Sequence, residues 1–470
     1  MKVSESISFE GGRTCGKTQV MSLDDLFISL PSANVWCCLQ NNNNNAYYFS
    51  LADGSYNNNN KNNQNWVVPV EPKDMIDLVF QAESDCWRNK HSSWDAAKYH
   101  YHTGLRLISL AISIGDGSYK PYTSMCFLVL YPRLREVFAA FYQDRIVHHI
   151  AAPYIRKVSE VVHTANGNVS FGNRKGMSAW HACLRVQAMM RKHPNGYIRT
   201  YDISSFFMSI DKQTCWEVFL RYEEKYRPDG YSAGERLVIL RLIKQMLFHN
   251  PASDCVRRTP ESKWDDLPKS KSLFYMNGLP IGNFYCQQLA NLYLAPICEL
   301  MIDFDITEFV DDFILIADSM DEIREADKQF HKGADKLKLN VNENKCYIQK
   351  VWAGVLWCGY FIKIDRIYTS NRPIKNCFYK IRNTEPTLDN AKDILNTVNS
   401  YIGMLCHCAE HNTQMRICEE VTKRFGEWLY FRKKSGRIVC TMKKRYTKRN
   451  LSKLDIEYID YNLTKKEVLL

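Results

Sequence analysis

The sequence predicts an α+β fold, and three observations carry that expectation. Phe309-Val310-Asp311-Asp312 lies between two β-rich runs, Ile306-Thr307-Glu308 and Phe313-Ile314-Leu315-Ile316, which makes a hairpin with an acidic tip. A second β-type run, Gly196-Tyr197-Ile198-Arg199-Thr200, leads into Asp202. Elsewhere apolar residues recur at helical spacing, most persistently between about residues 388 and 430.

The bulk properties narrow the class. A chain of 470 residues has room for two or three domains and a large core. No apolar run reaches ~18 residues, so no membrane span is expected. The opening MKVSESISFE lacks the apolar stretch of a secretory signal. The 17 cysteines are scattered without framework spacing, as expected of reduced thiols in a cytoplasmic protein. A net charge of +11, with Lys and Arg dense near the C-terminus, favours a polyanionic partner.

The elements follow in order. Residues 1–70 are dominated by Asn, with runs at 41–45 and 57–60 and further Asn at 62, 63 and 65. Such a polar tract cannot bury enough apolar surface to fold alone, so a disordered segment is expected. Met75, Leu78, Val79 and Ala82, then Leu105, Leu107 and Leu110, predict a helical extension over 71–118. Residues 119–131 read as strand and turn. Helices are expected around 137–150, 177–192 and 211–225, followed by a polar, Pro-containing insert over 226–277. Beyond the acidic hairpin, 320–338 reads as helix and 346–362 as strands. A helical stretch from 388 to 430 and a basic tail complete the chain.

The acidic tip poses a charge problem. Two adjacent carboxylates are costly unless a cation neutralises them, and Mg²⁺ prefers a few carboxylates together with substrate phosphates. Asp202, at the end of its strand, supplies a third carboxylate beside the tip. Three carboxylates from two neighbouring strands can hold two Mg²⁺ about 4 Å apart, one activating a hydroxyl and one stabilising a phosphate leaving group. Mn²⁺ is the expected substitute.

At these residues the chain resembles reverse transcriptases. Tyr201-Asp202-Ile203-Ser204-Ser205-Phe206-Phe207 looks like the first palm motif, and Phe309-Val310-Asp311-Asp312 looks like the Tyr-X-Asp-Asp box with Phe in place of Tyr. The resemblance implies a right-hand polymerase with fingers and palm over 119–365, and a helical thumb with the basic tail over 366–470. It implies that Asp202, Asp311 and Asp312 are catalytic and that Asp202, Asp311 and the Ile203 carbonyl hold metal. Phe207 falls where the family excludes the ribose 2′-hydroxyl, which implies deoxynucleotide substrates. Arg133 and Arg135, in Tyr131-Pro132-Arg133-Leu134-Arg135-Glu136, resemble the fingers residues that grip the triphosphate, for which guanidinium forks are suited. Asp144-Arg145-Ile146-Val147-His148-His149 resembles the next helix, its His pair structural or RNA-contacting. Arg174-Lys175-Gly176 looks like the template-contact motif opening a helix. Lys345 matches the lysine that approaches the leaving pyrophosphate, and Leu356-Trp357-Cys358-Gly359-Tyr360 looks like the primer-grip hairpin. Val398-Asn399-Ser400-Tyr401-Ile402-Gly403 looks like the start of the thumb.

One segment resembles a narrower group. Gly278-Leu279-Pro280-Ile281-Gly282-Asn283-Phe284-Tyr285-Cys286-Gln287 is similar to the Ile-Gly-x-x-x-Ser-Gln pattern of diversity-generating retroelement enzymes, with Cys286 in place of Ser. Retroviral and group II intron enzymes usually place Gln where Ile281 stands and Pro where Gln287 stands. A Gln amide can hydrogen-bond beside the incoming nucleotide and Ile cannot. Losing an oriented polar contact lowers discrimination, and in this group the implied errors fall at template adenines. The Asn-rich head agrees from another direction. Asn codons begin with two adenines and end in a pyrimidine, so replacing their adenines never creates a stop codon. Residues 34–70 therefore resemble a translated template repeat of such an element. The implied partners are dNTPs, a structured template RNA with its cDNA, and a small basic accessory protein, with no membrane. Two alternatives stand beside this: a defence-associated bacterial reverse transcriptase making immune cDNA, and a non-catalytic nucleic-acid-binding relic. All three aspartates are present, which argues against the relic.

Other motifs carry less. Gly11-Gly12-Arg13-Thr14-Cys15-Gly16-Lys17-Thr18 satisfies a phosphate-loop pattern, but the Asn tract begins too soon for a βαβ nucleotide domain, and no ATPase site is expected. Cys406-His407-Cys408, His411 and Cys418 fit no standard zinc spacing; on a helix over 406–418 adjacent ligands would diverge, so structural thiols are expected. The stretch Lys443-Lys444-Arg445-Tyr446-Thr447-Lys448-Arg449 could track a nucleic-acid backbone or be a solvated tail.

Overall fold

The computed structural model describes residues 72–446, except 92, 102, 131, 132 and 409, together with two earlier strands, Trp36–Asn41 and Tyr47–Ala52. Those two strands pair as an antiparallel hairpin inside the Asn-rich segment, where disorder was the expectation. The phosphate-loop pattern and the remainder of the template-repeat segment lie outside the described residues. No described helix is long and apolar enough to cross a membrane. Cys183, Cys215 and Cys377 are in no disulfide. The chain divides into two compact units, neither of them continuous in sequence.

The first unit comprises residues up to 168, 203–299 and 332–340. Its centre is the helix Tyr142–Ala165, whose Ile146, Val147, Ile150, Ile155 and Val158 are fully or nearly fully buried. Helices Pro72–Lys90, Ala233–Phe248 and Phe284–Tyr293 pack on it. Beside them, strand Ser124–Val129 pairs antiparallel with Arg135–Ala139 and parallel with Cys255–Arg257. The expected helix over 137–150 is thus corrected: Val137, Phe138 and Ala139 are strand, and the helix begins at Tyr142. The insert over 226–277 is also not merely polar. It holds the helix Ala233–Phe248, opened by a capping box in which Ser232 and Glu235 satisfy each other's backbone N–H groups. Apolar residues surround that helix on most sides, from Val238 to Leu247, so its 3.6-residue period is faint in the sequence.

The second unit comprises residues 169–202, 300–331 and 341 onward. Its four-stranded antiparallel sheet runs in the order Ile306–Phe309, Asp312–Ala317, Tyr197–Asp202, Ile348–Lys350. Side chains alternate along a strand, so Ile198, Thr200 and Asp202 share one face with Asp312, Ile314 and Ile316. Helix Ala179–Lys192 covers that face through Ala182, Cys183 and Val186. The other face carries Tyr201 and Phe313, on which Phe330 of helix Met320–Lys336 packs with ring centroids 3.9 and 5.1 Å away. Strands Val355–Trp357, Tyr360–Ile362 and Ile367–Thr369 form a small antiparallel sheet.

Helices Asn371–Asn383, Leu388–Leu405 and His411–Phe425 then build a separate core around Ile394, Val398, Ile417, Val421 and Phe425. This helical part starts at Asn371, ahead of the expected 388. In that first helix only Cys377 and Ile381 are buried, which leaves little period to read. Residues 406–418 are not one helix: Cys406–Cys408 is a 3₁₀ turn, and the next helix opens at His411. A hairpin, Leu429–Lys434 with Arg437–Met442, closes on the same core through Leu429 and Cys440.

Candidate active site

The acidic tip is a two-residue turn. Phe309 pairs with Asp312, leaving Val310 and Asp311 as the turn. Val310 has φ +63°, a conformation that a β-branched residue adopts only under constraint. The constraint is visible. Residues Val169 to Phe171 run alongside the Ile306–Phe309 strand, with Phe171 N–H donating to the Glu308 carbonyl at 3.0 Å and Glu308 N–H to the Val169 carbonyl at 2.9 Å. Gly172 then passes directly under the turn. A Cβ there would lie 2.7 Å from Val310 Cγ2 and 2.9 Å from Val310 N, so only glycine fits.

Asp202 and Asp312 are direct cross-strand partners. Such pairs point to the same face with Cβ atoms roughly 5 Å apart. The sheet therefore brings Asp202 to the Asp311-Asp312 tip. Two further groups hold the Asp202 carboxylate. Lys345 Nζ donates to both oxygens, at 3.0 and 2.9 Å, and Asn342 Nδ2 donates at 3.2 Å. Asn342 N–H also donates to the Asp202 carbonyl at 2.8 Å. On the opposite face, Tyr201 Oη donates to Asp327 at 2.7 Å and Arg199 Nε donates to the same oxygen at 3.0 Å, fixing the strand that carries Asp202.

The Trp357–Tyr360 hairpin reaches the same place. The Phe309 and Trp357 rings meet edge to face at 6.4 Å. Its turn, Cys358-Gly359, has φ +49° and +84°, and a Cβ on Gly359 would meet Met404 Cε at 2.9 Å. Burial pushes the Cys358 thiol pKa up, and Cys183, Asp312 and Asp311 add to the rise, which places the turn within the field of the acidic tip.

Of the residues expected to hold a nucleotide, Arg133, Arg135, Phe207, Ile281 and Gln287 belong to the first unit and Lys345 to the second. Phe207 stands five residues after Asp202, in the short helix Phe206–Ser209, and is half-buried. Leu279 N–H donates to the Phe207 carbonyl at 2.8 Å, and Phe138 N–H donates to the Ile281 carbonyl at 2.8 Å. The loop around Ile281 is thereby pinned between Phe207 and the strand that Arg135 opens. Two close approaches need glycine. A Cβ on Gly278 would lie 2.2 Å from the Phe207 carbonyl oxygen, and one on Gly282 (φ +117°) would lie 2.4 Å from that of Phe138. Ile281 packs on the cluster of Cys126, Phe138, Met208 and Leu273. Arg133, Arg135 and Gln287 are exposed, with Gln287 on the helix Phe284–Tyr293.

Other expected residues differ in placement. Arg174 is 7% exposed and donates to the Ser170 carbonyl at 2.8 Å, whereas Lys175 faces solvent. The helix after them opens at Ala179 with Ser178 as its cap. His148 is buried 4.9 Å from the Tyr285 ring; burial, then His149 and Arg145, lower its pKa to about 3, so it is a neutral packing residue. Sequence reasoning missed Gly172, Asn342 and Glu308. Glu308 is fully buried beneath the tip and accepts from Ser170 Oγ at 3.2 Å. A charged residue inside an otherwise apolar strand was the signal available for it.

A family model matches the stretch of chain that contains these residues. Residues 140–375, half of the chain, match the model described as reverse transcriptase (RNA-dependent DNA polymerase). The chain belongs to the reverse transcriptase family. The model's description names an RNA-dependent DNA polymerase domain. No curated protein matches it significantly. Among solved structures it is similar to apo telomerase from Candida tropicalis truncated from its C-terminal domain, at 12% identity over 53% of this chain and 55% of that chain, with a TM-score of 0.38. It is also similar to telomerase from Candida albicans in complex with a fragment of telomeric RNA, at 9% identity over 64% and 57%, TM-score 0.38. A third is the apo telomerase from Candida tropicalis, at 11% over 65% and 62%, TM-score 0.37. The reverse transcriptase chain thus spans less than two thirds of the length of these telomerases.

Reverse transcriptases use divalent metal ions, and the donor set here fits one. Asp202, Asp311, Asp312 and the Ile203 carbonyl are all hard oxygen donors, and Lys345 and Asn342 orient the first of them. Among the described residues no group of three or more His, Cys, Asp or Glu side chains stands close enough together to hold a metal ion by itself. Mg²⁺ needs none, because it keeps waters and takes one or two carboxylates with substrate phosphates.

Proposed function

We propose that this reverse transcriptase copies a structured template RNA into cDNA with frequent errors at template adenines, as the enzyme of a diversity-generating retroelement. The observation that carries the reading is Ile281. Its backbone is held by the Phe138 N–H and its side chain is apolar, so this position offers no amide to an incoming nucleotide.

In this reading Asp202, Asp311 and Asp312 are the catalytic carboxylates, and Asp202, Asp311 and the Ile203 carbonyl hold two Mg²⁺. Bound there, the ions would lower the pKa of the primer 3′-hydroxyl and offset the negative charge that builds on the leaving pyrophosphate. The 3′-hydroxyl gives up its proton to solvent, and its oxygen bonds to the α-phosphorus as the α–β phosphoanhydride bond breaks and pyrophosphate leaves. Lys345 orients Asp202 and, being 57% exposed, has the reach to meet the pyrophosphate. Arg133, Arg135 and Gln287 bind the nucleotide, and Phe207 blocks a 2′-hydroxyl. Lys175 and the Gly359 turn contact template and primer; Arg174, turned inward, positions its loop. Residues 119–365 serve as fingers and palm and 366–470 as thumb and basic tail.

The template-repeat reading of residues 34–70 and the small basic accessory protein rest on the resemblance. A near-copy of the DNA encoding that segment, differing mainly at adenines and lying in the same locus, supports the first; its absence removes it. Co-purification of a small basic protein encoded beside the enzyme tests the second. The polymerase roles are tested by primer extension with Asp311→Asn and Asp312→Asn, where equal incorporation by wild type and variants contradicts them. The retroelement role is tested by sequencing cDNA made on an adenine-containing RNA. A uniformly low error at adenine contradicts it.

A further inference from the structure

The strand Arg135–Ala139 carries a carboxylate where its packing calls for an apolar side chain. Side chains alternate along a strand, so Glu136 and Phe138 share the side opposite Arg135, Val137 and Ala139. Phe138 is fully buried in the cluster of Cys126, Met208 and Leu273, and Glu136 is fully buried as well. A buried carboxylate adds little net stability, because its desolvation offsets what its partners return. What it adds is direction, in the form of two acceptor oxygens at fixed points.

Those oxygens hold a single segment. Ser272 Oγ donates to one and Leu273 N–H to the other, each at 2.7 Å. The Ser272 carbonyl in turn accepts the Tyr275 and Met276 N–H groups at 3.1 and 3.0 Å, which closes a tight turn. Two residues beyond Met276 the chain reaches Gly278, pressed against the Phe207 carbonyl, and then Ile281, whose carbonyl accepts the Phe138 N–H. One strand therefore grips both ends of residues 272–282, Glu136 by its side chain and Phe138 by its backbone. Between the two grips, the Phe274 ring lies 6.1 Å from that of Phe138. Arg257, on the third strand of the sheet, places its guanidinium 4.2 Å from the Phe274 centroid and 4.8 Å from that of Trp264. Burial raises the Glu136 pKa, and the Leu273 N–H, the Ser272 hydroxyl and Arg257 oppose the rise.

We propose that Glu136 is a positioning residue for nucleotide selection. Its carboxylate fixes where the 272–282 segment begins. That segment sets how Phe207 and Ile281 stand against the sugar and base of an incoming deoxynucleoside triphosphate. Glu136, on the buried side of the strand, does not touch the nucleotide. Its role rests on Phe207 and Ile281 lining the nucleotide pocket, as proposed above. Loss of the carboxylate should then weaken both the hold on the nucleotide and the choice of sugar, while leaving the reacting groups in place.

Glu136→Gln keeps the shape and one acceptor oxygen but replaces the other with an NH₂ group that cannot accept. Ser272→Ala removes one of the two bonds from the opposite side. Incorporation of one nucleotide by the full chain is measured on a primed RNA template, with dNTP and rNTP titrated separately and Tm measured alongside. Glu136→Gln should raise KM for the dNTP about tenfold, hold kcat at saturating dNTP within about twofold, and lower the preference for dNTP over rNTP about tenfold. Ser272→Ala should move KM and sugar preference in the same direction, and the double variant should fall short of the product of the two single effects. A lowered Tm with KM or sugar preference unchanged makes the glutamate structural and overturns its positioning role. An effect carried mainly by kcat overturns it too. Should Glu136→Gln fail to fold, Ser272→Ala decides by the same criteria. Phe207→Ala is the control and should admit the rNTP. If its sugar preference stays at the wild-type value, the pocket assignment is wrong and the role of Glu136 falls with it. If Phe207→Ala relaxes the preference and Glu136→Gln does not, the role of Glu136 alone fails.

Discussion

Replacing Ile281 by Gln isolates the side chain proposed to set fidelity. The backbone at this position is held from outside: Phe138 N–H donates to the Ile281 carbonyl at 2.8 Å, and the next residue, Gly282, is pressed against the Phe138 carbonyl. The substitution should therefore change the side chain without moving the loop. Ile281 is only partly buried on the Cys126, Phe138, Met208 and Leu273 cluster. Full burial of such a side chain is worth about 1.5–3 kcal/mol, so losing part of it costs about 1 kcal/mol and the protein stays folded. The gain is one oriented hydrogen bond beside the nucleotide, worth about 0.5–1.5 kcal/mol. At 1.36 kcal/mol per tenfold in rate, that corresponds to a roughly 2- to 13-fold improvement in discrimination. The assay is deep sequencing of cDNA copied from matched RNAs rich or poor in adenine. Errors at adenine should fall by that factor while errors at the other three bases stay constant. An unchanged adenine error in a variant that melts with the wild type would remove Ile281 from the mechanism.

Three further outcomes are expected. Gly172→Ala forces a Cβ to 2.7 Å from Val310 Cγ2, and relief of such overpacking costs about 1–3 kcal/mol; displacement of the Asp311 turn should cut primer extension at least about tenfold with only a small fall in Tm, and a wild-type rate would show that the turn does not depend on this approach. Glu223→Gln breaks a buried pair in which Arg236 Nε and Nη2 each donate at 2.6 Å and Tyr154 Oη at 2.5 Å; urea unfolding should show a loss of about 3–5 kcal/mol, and a loss near zero would mean the pair is replaceable. His193 lies between Asp305 at 2.7 Å and Asp318 at 2.9 Å. Burial opposes its charge, but the hydrogen bonds to the two carboxylates outweigh burial and raise its pKa. A raised pKa contributes stability that is complete below the ordinary histidine value of about 6.5 and is lost as pH rises through the folded value. Between pH 6 and pH 9 the wild-type Tm should therefore decline relative to His193→Gln, and parallel curves would refute the role.

Much of the site was legible because its signals are local. The acidic tip between β-rich runs, the strand before Asp202 and the glycines of the 278–282 loop can each be read within a few residues. The strand Arg135–Ala139 was less legible, since REVFA suits either state and its pairing with Ser124–Val129 decides it. The helix Ala233–Phe248 escaped because a helix buried on most sides loses its amphipathic period, although its Ser232/Glu235 capping box was present to be read. The hairpin Leu429–Lys434 with Arg437–Met442 was hidden by a charged edge, Arg432-Lys433-Lys434, that reads as tail.

By itself the sequence determined that two carboxylates stand at a hairpin tip, that a third ends a strand, and that the residue at position 281 is apolar. These follow from residue type and a two-residue alternation, which nearest neighbours specify. Only the tertiary structure decided that Asp202 faces Asp312, that Lys345 and Asn342, 143 and 140 residues away, hold its carboxylate, and that Gly172 lies under Val310. It also turned Arg174 inward while leaving Lys175 in solvent. Such pairings depend on strand register and on packing between distant segments, and no local window of sequence contains either.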